Sequence, residues 1–522
     1  MSKQYPNLPG VNVNVLDGQL TTATSRSANS ILIIAKANSG KTVPKGPVYI
    51  SNEKDLYTNF GGFFHKGLVN PIAAQWLVAY KAGVNNIYLM ALRGETEKDQ
   101  YINLYKDLFE TVADLSISHI VLDGLYADEE IEELQLTEFN FSEGAEIQLP
   151  TYHVYTGTMA PTELAPNAEG YSLTIKLPDS ESSVLTAPNV VLTAPEGPLD
   201  VVALNGQLQE ALTLYGFDFE GNIKLTSKNV VEMSFTLPVT LEGTEILEAM
   251  GIAPETVTEK ITGSPTVLLS TFAELISQEI GGVIAYIGTS TPADYTITGI
   301  SNHVAKLEKV NTQISPYLQI VAGPEVGTMI PGSLRKQWLS GVVHYAVLVN
   351  SLLPQYAATN QPLLNAMQLR YSLSPRQLNA LTGNKMVTFQ MKNNQVRVVD
   401  AVTTAPDLSI GTDTIKSDFT RLSTLRIMNH IVRRMRYATE PFIGQPNEFY
   451  NYNGMNTAIR AELDDAIERG IIQDATYSIR LGNSLDTAEI DLTILPQFEL
   501  RLINITVGLS RPELFGTQSV AK

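Results

Sequence analysis

The sequence predicts a multidomain protein of α/β and α+β class: a discontinuous α/β domain carrying an inserted β-rich domain, then a C-terminal α+β domain, with an extended arm at each end. Three observations carry that expectation. Apolar runs of strand length alternate with helical stretches on both sides of a middle segment of different character. That segment, residues 128–260, holds 23 Asp or Glu against four Lys and no Arg, a balance of −19 that leaves the rest of the chain at +1. Both ends of the chain alternate apolar and polar residues with period two.

The first element, Pro9 to Gly18, alternates Val11, Val13 and Val15 with asparagines between turn residues, the pattern of a strand with one buried face. A polar stretch separates it from Ile31-Leu32-Ile33-Ile34-Ala35, a continuous apolar run suited to a strand buried on both faces. Asn70-Pro71 supplies a capping side chain and a proline at the first helical position, and Gly83 closes the helix. Ile87–Leu92 is the next strand. After residue 263 the alternation resumes, with a helix near Phe272–Gln278, strands Val283–Ile287 and Tyr317–Val321, and a helix around Leu334–Leu353. Between these halves lie short β-like runs at Thr151–Tyr155, Tyr171–Leu177, Asn189–Leu192, Val201–Leu204, Asn222–Leu225 and Val230–Leu237, spaced like a sandwich or barrel. The divisions expected are 1–24 (arm), 25–126 and 263–385 (the α/β domain), 127–262 (the acidic insert, outermost), and 386–522, whose arm strand begins near 498. The last block holds strands Met386–Gln390 and Gln395–Asp400, then two helices.

Composition narrows the function. Of 522 residues, 44% are apolar and 17% charged, enough to fill cores in three or four domains. No run is long and apolar enough to span a membrane, so direct membrane insertion is not expected, and Met1 to Pro6 lacks the apolar centre of a secretory signal. The chain has no cysteine, which rules out disulfides and thiolate chemistry and fits synthesis in a reducing cytosol. A net charge of −18 disfavours nucleic acid as a partner.

Catalytic motifs fail on inspection. Asn38-Ser39-Gly40-Lys41-Thr42 mimics the end of a phosphate-binding loop, but Ala35 stands where the motif needs glycine, and Val43-Pro44-Lys45-Gly46-Pro47 cannot start a helix. His65, His119, His153, His303, His344 and His430 are scattered, with no pair at metal-ligand spacing. Glu129/Glu130 and Asp464/Asp465 are sequence neighbours, so in regular structure they point apart. The expectation is a protein without catalytic, cofactor or metal residues.

One pattern holds. On a helical wheel, Ile427, Ile431, Met435, Met428, Val432 and Leu425 of Ser423–Ala438 share one arc, and Arg436, Arg433, Arg426, His430 and Arg434 share the other. The bland reading is a solvated face with local ion pairs. The functional one is a contact with an acidic protein surface, since arginine forks pair bidentately with carboxylates. The next helix, Met455–Arg469, places Met455, Ile459, Leu463 and Ile467 at core spacing. At the end, Phe498, Leu500 and Leu502 alternate with polar residues, then the phase slips by one to Ile503, Ile505 and Val507. Such a terminal strand can add to another subunit's sheet edge or pair within its own chain.

Four segments, in order, resemble the contractile tail sheath family of phage tails and related injection machines: Tyr5 to Val11 with its Pro-Gly-Val, Ala357 to Pro362, Asn394 to Thr404, and Phe442-Ile443-Gly444 followed by Asn447 and Arg460. The resemblance covers the first 100 residues and the last 170 and leaves out the acidic insert. It implies a sheath-type C-terminal domain and a helical homo-oligomer, stacked in hexameric rings around a tail tube protein, bounded by baseplate and tail terminator proteins. It implies residence in a virion tail assembled in host cytoplasm, and contraction that drives genome ejection during host cell entry. Arm strands around Val11, Val13, Val15 and around Leu500, Leu502, Ile503, Ile505, Val507 would link subunits, and the helix bearing Arg426, His430, Arg433, Arg434 and Arg436 would face the tube. The alternative is a virion or cell-surface binding protein with the acidic β insert as recognition module.

Overall fold

The run Ile31–Ala35 fills the middle of a large sheet because every one of its side chains is fully buried, which only a strand covered on both faces allows. The computed structural model describes residues 13–15, 20–22, 30–111, 117–134, 151–156, 158–162, 164, 171–176, 189–195, 197–215, 221–225, 230–235, 239–253, 258–279, 282–410, 413–445, 449–481 and 488–499. Seven strands form the sheet: β1 (Ser30–Lys36), β2 (Val48–Tyr49), β3 (Asn86–Leu92), β4 (His119–Asp123), β5 (Ile284–Gly288), β6 (Leu318–Val321) and β7 (Met386–Val387). Their order is β7-β6-β5-β4-β1-β3-β2, parallel except for β2, which runs antiparallel along one edge. Ile33 sits between Leu89 and Val121 in register. The winding reverses between β1 and β4, the doubly wound pattern.

Helices α1 (Pro71–Lys81), α2 (Glu97–Thr111), α3 (Pro265–Glu279) and α4 (Gly341–Ser351) join this core. Asn70 precedes α1, but its side chain does not cap the helix. Fully buried, it accepts from the Asn38 amide at 2.9 Å and donates to the carbonyls of Phe60 and Gly62, so two neighbouring loops claim the side chain and its Oδ1 is not left for a cap. Gly83 does close α1, with a left-handed φ of 81°. The helix expected from Leu334 begins only at Gly341. Gln337–Leu339 is a strand paired with Val326–Thr328, and the Ser340 hydroxyl, accepting from the Val342 amide, marks the real start.

The middle segment leaves the sheet after β4 and returns before β5. It contains a five-stranded sheet and a three-stranded sheet around their own core, in which Leu173, Val231, Met233 and Phe235 are fully buried. One expected run is not a strand. Val201–Leu204 opens a helix, Val201–Tyr215, because Asp200 accepts the amides of Val202 and Ala203 at 3.0 Å and Val201, Leu204 and Leu208 bury one helical face. The segment is therefore α+β rather than purely β. Its entering strand, Ile131–Leu134, pairs antiparallel with its leaving strand, Thr258–Gly263. At this junction the Asp128 carboxylate, with its side chain wholly buried, accepts from the Ser290 amide (2.7 Å) and hydroxyl (2.5 Å) and from Lys306 (2.6 Å).

The C-terminal part holds α5 (Leu422–Thr439), α6 (Phe449–Glu468), and a long antiparallel hairpin, β8 (Ile472–Leu481) with β9 (Ala488–Pro496). The expected strand Met386–Gln390 is divided: β7 belongs to the large sheet, and Phe389–Lys392 turns through Asn393 and Asn394, both at positive φ, to pair with Gln395–Val398. At the other end, Val13–Val15 pairs with Leu20–Thr22 of the same chain. Val11 and the terminal-arm residues Leu500, Leu502, Ile503, Ile505 and Val507 lie outside the described residues.

Candidate assembly site in the C-terminal part

Helix α5 is the spine of this region. Its apolar arc divides between two cores: Leu425, Met428 and Val432 join the core of the large sheet, while Ile427, Ile431 and Met435 pack with Ile459, Leu463 and Ala466 of α6. A wheel shows one stripe, but the helix is wedged, and each half of the stripe faces a different body.

The arginines of the other arc are engaged within the chain. Arg426 donates to the Leu352 carbonyl and, at 3.1 Å, to that of Tyr356. Leu352 is the C-cap of α4, so a guanidinium lies against the negative end of that helix, where a cation is favoured. Arg433 donates to the Gly282 carbonyl at 3.0 Å, just before β5. Arg434 bridges to α6 through Glu462, at 2.8 Å, and Asp465. Arg436 is only 3% exposed, and burial draws its pKa down to about 10. His430, half-buried, is lowered to about 4 by burial first and then by Arg434 and Arg433. The basic face that the wheel suggests is thus largely a set of braces, and the part nearest solvent is the Arg434–Glu462–Asp465 corner beside exposed Tyr437.

Two segments quoted for the family resemblance meet here. The Thr359 hydroxyl donates to Asp400 at 3.1 Å, and the Arg421 guanidinium closes on the same carboxylate at 3.2 Å and on Glu499 at 3.7 Å. Thr403 donates to the Phe419 carbonyl and Thr404 to that of Ser315, so the threonine-rich turn pins the start of α5 to the large sheet. Arg460, by contrast, is exposed and pairs with Asp464 at 3.7 Å.

The hairpin is the element that sequence reading passed over, although Ala475, Tyr477, Ile479 and then Ile490, Leu492, Ile494 alternate with polar residues. Those six side chains pack on the α5–α6 core but stay only partly buried. The opposite face is polar, with Arg480 bridging to Glu489 at 3.0 Å and Asp491 at 3.3 Å. Among the described residues this sheet has two strands, so the outer edges of β8 and β9 have no partner strand. A two-stranded sheet is marginal alone and its edges are templates for another strand.

Lys41, of the loop resembling a phosphate-binding motif, donates instead to the Tyr57 carbonyl at 2.7 Å, and the helix that follows, Glu53–Asn59, has two short turns. Buried His119 meets the Tyr286 hydroxyl at 2.9 Å and buried His344 meets that of Thr328 at 2.8 Å. At the reversal point of the large sheet, Asp123 is buried against Gln75 at 2.7 Å. Among the described residues, no three His, Asp or Glu side chains are grouped to hold a metal, and no helix is long and apolar enough to cross a membrane.

No protein-family model and no curated protein matches the chain. Solved structures do. A chain of the anti-feeding prophage baseplate in its contracted state matches with a TM-score of 0.50 and 11% identity, over 97% of this chain and 99% of that one. A chain from the anti-feeding prophage helical sheath in its contracted state matches at 0.48 and 9% identity, over 97% of this chain and 100% of that one. The sheath tail protein of Listeria innocua matches at 0.40 and 13%, over 91% and 94%. At these identities the likeness is one of fold.

Proposed function

We propose that this chain is the structural subunit of a contractile sheath, polymerising helically around a tail tube and shortening to drive it through a target envelope. The observation that carries the reading is the β8–β9 hairpin: a long sheet with a half-buried apolar face and, among the described residues, two strands and open edges, in a chain whose ends both have strand periodicity. Strand addition between subunits would complete that sheet through main-chain hydrogen bonds. The fold likeness to a contracted baseplate chain supports the same reading.

In this proposal Val13 and Val15, with Val11, and the segment from Leu500 to Val507 act as the linking arms, and self, tube, baseplate and terminator proteins are the partners. The tube contact is placed at the solvent-facing Arg434 corner of α5, since Arg426, Arg433 and Arg436 are engaged inward. Exposed ion pairs suit a contact that must break, each being worth about 0–1 kcal/mol. The machine would be a virion tail or a related tail-derived device. The purified protein should form ribbed tubes by negative-stain microscopy, and deletion of residues 1–16 should leave discrete particles. Tubes that persist after the deletion would overturn the arm model. Discrete particles from the intact chain would favour a binding protein that recognises its target through the acidic insert.

A further inference from the structure

The helix Val201–Tyr215 of the insert closes two strand edges at once. Among the described residues, the three-stranded sheet of the insert ends on Asn189–Ala194, and the five-stranded sheet ends on Gly221–Leu225. Val201, Leu204 and Leu208 form the buried stripe of the helix. At about 100° per residue, Asn205 and Gln207 stand on opposite flanks of that stripe. Gln207 reaches one edge, where its carboxamide accepts from the Thr193 amide at 2.8 Å and donates to the Thr193 carbonyl at 2.9 Å. Asn205 reaches the other and accepts from the Ile223 amide at 2.9 Å. An antiparallel neighbour would exchange this same N–H and C=O pair with Thr193, so Gln207 stands in for one residue of a partner strand.

The far edges of the two sheets are blunted in another way. They are the strands Ile131–Leu134 and Thr240–Glu242, four and three residues long, with Glu132, Glu133 and Glu242 on them. Short and charged edge strands resist pairing with another chain. The β8–β9 hairpin has neither device. Its strands are ten and nine residues long, and among the described residues no third strand or side-chain clip covers their outer edges. One chain thus treats its sheet edges in two opposite ways.

We propose that Asn205 and Gln207 determine where copies of this chain exchange strands: by occupying the edges of the insert they bar a second copy from pairing there, and strand addition is left to the β8–β9 sheet. The role given to β8–β9 rests on the sheath reading, and the sealing of the insert does not. A crowded array needs both, because an insert edge that accepts a neighbour's strand links copies in the wrong register.

The absence of cysteine gives a direct test. Val191, 55% exposed on the strand that Gln207 clips, becomes the reporter as Val191→Cys in the full-length chain. Adding Asn205→Ala and Gln207→Ala should raise the yield of disulfide-linked pairs severalfold on oxidation, with the far-ultraviolet circular dichroism unchanged. Gln207→Met, which keeps the length of the side chain and neither hydrogen bond, should give a smaller rise and guards the test against misfolding of the double variant. Thr193→Lys, placed on the opened edge, should return the yield to that of the reporter alone, because an edge lysine opposes strand pairing. A yield that stays at the reporter level in both guard variants, or one that rises and is indifferent to Thr193→Lys, overturns the proposal. Microscopy of the parent separates the two ideas: a parent without tubes sinks the sheath reading, while the comparison of cross-link yields needs no tubes and still decides whether the insert is sealed.

Discussion

Arg433 reaches from α5 to the Gly282 carbonyl, 3.0 Å away, and so ties the C-terminal helix to the strand that follows the insert. Arg426, two turns earlier, does the same at the end of α4. Hydrogen bonds to charged groups contribute about 1.5–3 kcal/mol, and a buried carbonyl left without its donor is costly. Arg426→Ala and Arg433→Ala should each lower unfolding stability in urea by roughly that amount. Arg434→Ala, which breaks a part-exposed bridge, should change it by no more than about 1 kcal/mol. Equal losses for all three would contradict the assignment of Arg426 and Arg433 as braces.

Acid should unfold the protein through two core histidines. Burial lowers His119 to about 3, helped by Arg426 and Arg433, and burial lowers His344 to about 4. Both folded values lie below the unfolded value of about 6.5, so the unfolded state binds more protons as pH falls. Stability should therefore be intact above about pH 6.5 and decline towards pH 4 by about 1.4 kcal/mol per pH unit for each histidine. Denaturant titrations at pH 7, 6 and 5 measure the slope, and His119→Gln should reduce it relative to the parent.

Asp128 has the opposite assignment. Burial pushes its pKa up, but the hydrogen bonds from Lys306 and Ser290 outweigh that and leave it below the usual carboxylate value. Its contribution is present above about pH 4 and fades as pH falls through the lowered value. Asp128→Ala should destabilise the protein by about 2 kcal/mol at neutral pH and speed protease cleavage at the insert junction. The gap between variant and parent should narrow as pH falls below the usual carboxylate value.

Phe389 closes the space between β6 and the start of α4. A methyl group on Gly341 or Gly323 would overlap its ring, although neither glycine has a positive φ. The constraint is steric. Gly341→Ala should cost about 1–3 kcal/mol by overpacking, and the loss should shrink when Phe389→Leu is combined with it. Additive losses in that double-mutant cycle would place the two residues out of contact.

The sequence made the large sheet legible because its strands are continuous apolar runs and its turns carry Gly and Pro: Ile31–Ala35, Ile87–Leu92 and the Pro71–Lys81 helix lie where their residues put them. Val201–Leu204 misled because four apolar residues fit a strand or a helix turn equally, and only the Asp200 cap decides. The α5 wheel identified which residues are buried but not the arginines' partners. Those of Arg426 and Arg433 are the main-chain carbonyls of Leu352, Tyr356 and Gly282, and a carbonyl carries no sequence signature. The β8–β9 hairpin had a readable period, yet six residues separate its strands, so Gly482-Asn483 does not stand alone between them as the two-residue turn that announces a tight hairpin.

The pairing of Ile131–Leu134 with Thr258–Gly263 has a consequence for how such chains can diversify. The backbone crosses into the insert and out of it on adjacent antiparallel strands, separated by only about 5 Å. The α/β sheet therefore meets the insert as a plug meets a two-pin socket. Any compact module with neighbouring termini could be exchanged there with little loss to the host sheet, so the segment between these strands can change while the α/β sheet stays as it is.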